Sequence, residues 1–289
     1  MSLLDPKFLA RLERLELRVG RLVAGDRPGD VASLRRGAGS SFRGHRGYVP
    51  GDDIRSIDWN AFVRLDELVV KEFDAEVTPR VTILIDASPS MATAGGVKAA
   101  TARKLAAALG WIALARHGSV RVIPFPGTAR DAAFSGRSGA AGFLRHLETL
   151  PETGGDGLMD VLSAAYGGRR HPGITLLLSD FWAADRFESA LGFLRRRGER
   201  VEALHLWIAA EASPSLDGPV VLTDAETGRT LRVVMTPSLL ARHRKAVEDH
   251  FEDVARTARA FGANHHRLDA EAAVESLVLD TLRARAVVG

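Results

Sequence analysis

The strongest constraint on the fold is a series of short apolar runs that alternate with longer helical stretches between residues 81 and 208. The first run, Val-Thr-Ile-Leu-Ile at 81–85, is rich in β-branched residues, as are strands that are buried on both faces. Strands that alternate with helices form a parallel sheet covered by those helices. The sequence therefore predicts an α/β domain with a mostly parallel, Rossmann-like sheet and helices on both faces.

Other segments extend this domain at both ends. Apolar residues at helical spacing predict an N-terminal helix over about residues 6–22, which we expect to dock on the protein's own core. Residues 25–51 are rich in Gly, Ser and Arg and predict an irregular arm. The predicted organisation is an N-terminal region over residues 1–78 and an α/β domain over residues 79–289.

The last part of the domain departs from simple alternation. Two β-like runs separated by Ala225-Glu226-Thr227-Gly228 predict a hairpin insertion at about 217–235. A long helix, a short strand and a final helix that begins at Ala270 are expected after the hairpin.

Composition bears on the cellular setting. The chain has no cysteine, so it forms neither disulfides nor thiolate metal sites, and a reducing cytoplasm fits best. Its longest apolar stretch, Leu105 to Ala115, is well short of the ~20 residues of a membrane helix. The N-terminus lacks the pattern of a secretory signal. We therefore expect a cytoplasmic protein without a transmembrane segment.

Candidate functional residues lie where strands end. Asp86 and Asp180 each follow an apolar strand, and Ser88 and Ser90 lie in the turn just after Asp86. In open α/β sheets, ligands bind at the carboxyl ends of strands, so these oxygens converge if the two strands are neighbours. Two carboxylates and two hydroxyls suit Mg²⁺ or Mn²⁺. The alternative is that they only cap a turn and the following helix.

The pattern Asp86-x-Ser88-x-Ser90, followed by Ser179-Asp180, resembles the metal-ion-dependent adhesion site of von Willebrand factor A domains. The resemblance implies that fold and an open metal position for the carboxylate of a partner protein. Those domains usually carry a Thr in a Gly-Gly-Thr run, where this chain has Gly154-Gly155-Asp156. Asp156, directly or through water, or Thr153 would then supply the missing oxygen, and Mn²⁺ or Ca²⁺ becomes an alternative to Mg²⁺.

A second set of spaced residues precedes the domain. It consists of Phe42, Gly44, Arg46, Tyr48, Gly51, Asp52, Asp53, Arg55, Ile57, Asp58, Trp59, Ala61, Arg64 and Lys71. With the Asp86 loop and the hairpin, this set resembles the bacterial family catalogued as domain of unknown function number fifty-eight. The resemblance implies a von Willebrand factor A-like core that works with a MoxR-type AAA+ ATPase in assembling or activating client proteins. Many members of that family carry two N-terminal membrane helices, and this chain resembles the short, soluble branch of the family that lacks them.

The cluster between residues 46 and 59 allows two interpretations. In the structural one, Asp52 or Asp53 caps a turn, Arg55 pairs with Asp58, and Trp59 packs on the core. In the functional one, the cluster is a surface that binds a partner protein. That surface would comprise Arg46, Tyr48, Asp52, Asp53, Arg55, Asp58 and Trp59.

Two other function classes compete with an adaptor. The Arg-rich arm is compatible with nucleic-acid binding, although no recognition motif supports it. A metal-dependent phosphohydrolase of the haloacid dehalogenase type needs a second Asp where this chain has Ser88. The predicted function is therefore a non-enzymatic adaptor that binds a MoxR-type ATPase and a client. Its predicted metal ligands are Asp86, Ser88, Ser90, Asp156 and Asp180.

Overall fold

The computed structural model of the chain describes residues 3–17, 41–74, 80–116, 118–127, 131–150, 157–166, 173–182 and 184–289. The chain divides into two compact units, one made of residues 1–22 with 79–289 and the other of residues 23–78. The N-terminal segment is thus grouped with the α/β unit, whereas the sequence grouped it with the arm.

The strands, in chain order, are β1 (Ser41–Gly47), β2 (Val69–Asp74), β3 (Arg80–Asp86), β4 (Ser119–Phe125), β5 (Ala132–Ser135), β6 (Ile174–Ser179), β7 (Arg200–Trp207), β8 (Gly218–Thr223), β9 (Thr230–Met235) and β10 (Asn264–Asp269). The α-helices are α1 (Pro6–Leu12), α2 (Trp59–Leu65), α3 (Thr93–Ala115), α4 (Gly136–Glu148), α5 (Leu158–Ala165), α6 (Ala184–Arg196), α7 (Ala209–Ala212), α8 (Pro237–Ala260) and α9 (Val274–Ser276).

The centre of the larger unit is a six-stranded sheet in the order β10-β7-β6-β3-β4-β5. All neighbours pair in parallel except β5, which lies antiparallel to β4 at one edge. The prediction of an α/β class with a mostly parallel sheet is confirmed. The predicted hairpin is also confirmed, since β8 and β9 form a separate antiparallel pair.

Alternate residues of the central strands face two hydrophobic cores. Ile83 and Ile85 of β3 pack in a core with α1, α3 and α4, whereas Leu84 packs in a core with α5 and α6. Successive side chains of a strand point to opposite faces, so helices cover both faces of the sheet. This double coverage explains why the central strands carry uninterrupted apolar runs.

The N-terminal helix docks on the larger unit but is shorter than predicted. The Asp5 side chain caps α1 by accepting a hydrogen bond from the Lys7 backbone at 2.6 Å, and the helix ends at Leu12. Phe8, Leu12 and Leu15 are among the apolar residues whose helical spacing predicted this helix, and they are buried in the core next to α3. The part of the predicted helix beyond residue 17 lies outside the described residues.

Two predictions at other segment ends were wrong. Residues 41–47, assigned to an irregular arm, form β1 and pair with β2. The Gly-rich sequence gives β1 little local strand signal, so the strand depends on hydrogen bonds to a distant partner. The final helix begins at Val274 instead of Ala270, because the Asp269 carboxylate accepts a hydrogen bond from Glu271 N at 2.9 Å and prolongs a turn. Residues 25–40 of the predicted arm lie outside the described residues.

Among the described residues, none of the helices combines the length and apolar character needed to cross a membrane.

The packing of α3 on α4 gives a stability prediction. A Cβ atom at Gly110 of α3 would overlap the ring of Phe143, which is fully buried on α4. We expect Gly110→Ala to lower the free energy of unfolding by about 1–3 kcal/mol, because the core has no room for the displaced ring. The measurement is urea unfolding followed by circular dichroism.

Gly142→Ala is the matched control. A Cβ atom at Gly142 of α4 would lie 3.5 Å from the Phe134 ring, an ordinary contact. Alanine is the better helix former by about 1 kcal/mol, so this variant should be as stable as wild type or more so. Equal stability of the two variants would contradict the packing described for Gly110.

Candidate functional site

The two carboxylates that the sequence singled out lie at the same edge of the sheet. Asp86 is the last residue of β3, and Asp180 follows β6, the strand next to it. Both side chains are buried, with residue exposures of 8% for Asp86 and 2% for Asp180. The predicted convergence therefore occurs, because parallel neighbours end at the same edge.

Asp86 is held by hydrogen bonds from both strand ends. Its Oδ1 atom accepts from Ser88 N at 2.9 Å, and its Oδ2 atom accepts from Ser179 Oγ at 2.5 Å. Ser179 Oγ in turn accepts from Phe181 N at 2.9 Å. The bond to Ser88 N is the turn-capping role considered from sequence, but the bond to Ser179 ties the Asp86 loop to the Asp180 loop.

The electrostatic environment of Asp86 disfavours its charged form. Burial raises the pKa of Asp86 to about 6, and the negative charge of Asp180 contributes to the increase. Hydrogen bonds from Ser179 and Ser88 oppose the increase but do not cancel it. A nearby positive charge would therefore stabilise the ionised form of Asp86.

The two loop hydroxyls converge beside Asp86. Ser88 Oγ and Ser90 Oγ lie 3.0 Å apart. Ser88 begins a short 3₁₀ turn, Pro89–Ala92, yet its side chain makes no capping hydrogen bond to that turn. Its hydroxyl is directed to Ser90, so the two oxygens are available to a common ligand.

Asp180 has a partner that sequence reasoning missed. Lys98 on α3 is fully buried, and its Nζ atom donates to Asp180 Oδ2 at 2.7 Å and also to Glu211 of α7. The helix backbone makes a left-handed turn at residues 94–96 before it reaches Lys98. A buried ammonium needs such carboxylate partners, because an unpaired charge in the core is costly. The sequence gives no sign of this role, because Lys98 is one of three cationic residues on α3, with Arg103 and Lys104.

Aromatic side chains support the segment that follows Asp180. Trp182 stacks on His250 of α8 with ring centroids 4.5 Å apart and an interplanar angle of 7°. Phe181 contacts His205 of β7, whose pKa is lowered well below the usual histidine value by burial and neighbouring positive groups. A neutral histidine therefore packs behind the site, while Trp182 remains 40% exposed at its rim.

The oxygen atoms at this edge of the sheet are of the type that divalent cations bind. The cluster of Asp86, Asp180, Glu211 and Lys98 contains three carboxylates and one ammonium, so a net negative charge remains when all are ionised. The two serine hydroxyls add neutral oxygens of the kind that Mg²⁺ and Mn²⁺ accept. Within the described ranges, no group of three or more His, Asp or Glu side chains is placed to hold a metal. Asp156 and Thr153, the predicted third-loop ligands, lie outside those ranges.

A further carboxylate reaches the loop from the hairpin. Glu226, between β8 and β9, accepts a hydrogen bond from Ser90 N at 2.9 Å through its Oε1 atom. The sequence marked Glu226 only as part of a family pattern and gave no indication of this contact, because 136 residues separate the two partners.

The predicted partner surface lies in the smaller unit, where several of its residues hold the local structure. Asp52 accepts two hydrogen bonds from the Arg46 guanidinium, at 2.6 and 2.8 Å, and one from Val49 N at 2.9 Å. Asp53 caps the 3₁₀ turn Ile54–Ser56 through Arg55 N at 2.9 Å. Tyr48 N donates to Leu68 O at 2.8 Å. The turn-capping part of the structural interpretation is thus present.

Two details of that interpretation were wrong. Asp58 does not pair with Arg55 but lies 2.8 Å from His45 Nε2 and 3.4 Å from Lys71 Nζ, and it caps α2. These contacts, led by the one to His45, lower the pKa of Asp58 to about 2. Trp59 does not pack on the core, since 58% of it is exposed. The start of α2 points this ring outward, because Asp58 occupies the buried capping position.

The fold and the site define a class of protein: an α/β unit with carboxylates and hydroxyls gathered at the carboxyl edge of a parallel sheet, preceded by a small β-containing unit. The family model described as "Protein of unknown function DUF58" matches residues 44–260. The chain belongs to this family, which confirms the resemblance seen in the spaced residues from 42 to 71.

Relatives include an uncharacterised protein of Mycobacterium tuberculosis that is 31% identical over 267 residues, covering 90% of this chain and 84% of the relative. An uncharacterised protein of Mycobacterium avium is 33% identical over 138 residues, covering 46% of this chain and 80% of the relative.

Two solved structures show a more distant similarity. One is the conserved hypothetical protein BatB from Bacteroides thetaiotaomicron, with 13% identity, coverage of 72% and 98% of the two chains, and a TM-score of 0.40. The other is an aerotolerance-related membrane protein from Bacteroides fragilis, with 14% identity, coverage of 71% and 99%, and a TM-score of 0.37.

The buried Lys98 gives a second stability prediction. Lys98→Met leaves the Asp180 carboxylate buried without its cation, and we expect a loss of about 3–5 kcal/mol in the free energy of unfolding. Adding Asp180→Asn should recover part of that loss, because the uncompensated charge is removed. Chemical unfolding of the three proteins measures both effects.

Lys245→Met is the matched control, because the exposed Lys245 pairs with Asp249 at 3.0 Å on α8. Exposed pairs of this kind contribute less than about 1 kcal/mol. If Lys98→Met costs no more than Lys245→Met, Lys98 does not hold the site as described.

Proposed function

We propose that this protein is an adaptor that binds an acidic group of a partner protein at the loop formed by residues 86–90, with a divalent cation between them. The observation that carries the proposal is the convergence of the Ser88 and Ser90 hydroxyls, 3.0 Å apart, beside a buried Asp86 whose pKa is raised. Such a cluster of hard oxygens with excess negative charge suits Mg²⁺ or Mn²⁺. The geometry also supports a von Willebrand factor A-like assignment, which stays part of the proposal.

Each residue of the site has a proposed role. Ser88 and Ser90 would contact the cation through their hydroxyls, and Asp86 would contribute negative charge and hold the loop through Ser88 N. Asp180 would act through bound water, because Lys98 already occupies one of its oxygens at 2.7 Å. Asp156 remains a proposed ligand. A bound Mg²⁺ keeps exchangeable positions, and one of these would accept the partner's carboxylate.

The partners we propose are a MoxR-type AAA+ ATPase and a client protein, in a cytoplasmic setting and without catalysis by this chain. This part rests on the family resemblance. The exposed Trp59 supports a contact role for the smaller unit, because Val63, one turn further along α2, is 83% exposed as well. Large exposed apolar side chains that lie together are typical of protein interaction surfaces.

Metal binding is the first prediction of this proposal. Asp86→Asn removes one negative charge at the loop, and we expect Mn²⁺ affinity to fall roughly 10–100-fold, as for other losses of a group that supports a metal site. Isothermal titration with Mn²⁺ measures the affinity.

Asp249→Asn, the same change at an exposed position on α8, should leave Mn²⁺ binding unchanged. A wild-type protein that binds no Mn²⁺, or an Asp86→Asn variant that binds it like wild type, would remove the metal from the proposal.

Partner binding is the second prediction. In affinity capture from native cytosol, an AAA+ ATPase or its client should be retained by wild type with Mg²⁺ but lost with EDTA or with Asp86→Asn. The physical reason is that the cation links the two carboxylate-bearing surfaces. Capture of the same proteins under all these conditions would show that the loop is not the binding surface.

A further inference from the structure

The hairpin formed by β8 and β9 touches the candidate site through its tip. Glu226 Oε1 accepts a hydrogen bond from Ser90 N at 2.9 Å, and Ser90 also carries one of the two hydroxyls of the site. The strands that carry the tip are largely exposed, with Val221 at 59% and Leu231 at 62%. The hairpin thus places the Glu226 carboxylate on the same loop that is proposed to bind a carboxylate of a partner protein.

The tip is an ordered turn. The Asp224 carboxylate accepts hydrogen bonds from Glu226 N at 3.1 Å, from Thr227 N at 2.7 Å and from Thr227 Oγ1 at 2.8 Å. Gly228 adopts a positive φ of 68°, and its N–H donates to Asp224 O at 2.9 Å. These hydrogen bonds lie within the turn itself and do not involve the loop of residues 86–90.

The segment that leads into the hairpin is tied to the same site. Glu211 of α7 accepts from the buried Lys98, and its carbonyl oxygen lies 2.7 Å from His243 Nε2 of α8. Lys98 also pairs with Asp180. The start of the segment is therefore anchored beneath the site by a buried charge, while the tip contacts the loop through an exposed carboxylate. Exposed charged contacts exchange readily with water, so the tip is the end that can release.

The N–H group of Ser90 explains why a carboxylate binds there. Ser88, the residue that begins the 3₁₀ turn, makes no capping bond with its side chain, so the turn leaves the Ser90 N–H to an outside acceptor. Glu226 supplies that acceptor. An acidic residue from a partner would accept the same hydrogen bond from the Ser90 N–H group.

We infer that Glu226 is an internal stand-in for the partner's carboxylate, so that the hairpin tip closes the loop in the free protein and must leave before an acidic partner binds. This inference rests on the proposed function, since it names the regulation of the same site. The ligand class is an acidic protein segment that resembles the hairpin tip itself.

A competition experiment tests the inference with a probe taken from the chain. The probe is a fluorescent, cyclised peptide of residues 218–235, and its binding to full-length protein is measured by fluorescence anisotropy. Glu226→Gln protein should bind the peptide at least about 5-fold more tightly than wild type does, because its own tip no longer competes. A peptide that carries the same Glu-to-Gln change should bind neither protein.

Glu252→Gln, at an exposed position on α8, is the matched control and should behave like wild type. Equal binding of the peptide to wild type and Glu226→Gln, or binding to neither, would overturn the inference. Performing each titration with Mn²⁺ and with EDTA separates this inference from the proposed function. If Glu226→Gln binds the peptide more tightly than wild type in EDTA, and Mn²⁺ does not increase this difference, the stand-in role of Glu226 is supported and the metal is not. If the protein binds Mn²⁺ but Glu226→Gln and wild type bind the peptide equally, the metal is supported and the stand-in role is not.

Amide hydrogen exchange gives a second measurement that needs no peptide. The Ser90 amide should exchange at least about 5-fold faster in Glu226→Gln than in wild type, because its acceptor is weakened. Unchanged exchange at Ser90 would show that the tip does not close the loop in solution.

Discussion

The ammonium group of Lys98 lies fully buried between Asp180 and Glu211, and the arrangement of the site depends on it. Burying the ammonium of Lys98 and the carboxylate of Asp180 is unfavourable unless they are paired, and the partly buried Glu211 adds a second carboxylate. The pairing draws together the end of β6, the start of α3 and the helix α7, which are far apart in sequence. Burial raises the pKa of the neighbouring Asp86 to about 6, and the negative charge of Asp180 adds to the increase. The proposed cation site follows from this concentration of carboxylates.

The same ion pairs connect the sheet edge to the hairpin. Glu211 precedes β8, and Glu226 returns to the loop at Ser90. A change in charge or ligand at Asp86 and Ser90 would therefore act on the hairpin at its tip, while Lys98 keeps its origin fixed. Under the proposed function the loop binds acidic groups of a partner, and under the further inference the Glu226 tip leaves the loop before such a group binds.

Sequence patterns predicted those features that depend on local order. The central strands were predicted because burial on both faces requires apolar runs, and the approach of Asp86 to Asp180 follows from their positions at strand ends. Features that depend on distant partners were missed. Lys98 gives no sign in an Ala-rich helix that it is buried, β1 depends on pairing with β2, and Asp58 binds His45 and Lys71 instead of its neighbour Arg55.

The most direct test of the central claim is a crystal structure of the protein grown with Mn²⁺ and measured at a wavelength where manganese scatters anomalously. The account predicts an anomalous peak within about 2–2.5 Å of the Ser88 and Ser90 hydroxyl oxygens. Asp86 should lie beside that peak, and Lys98 should still be paired with Asp180. A map with no peak at the loop, or with a peak only at surface carboxylates, would contradict the claim that these residues form a metal-dependent binding site.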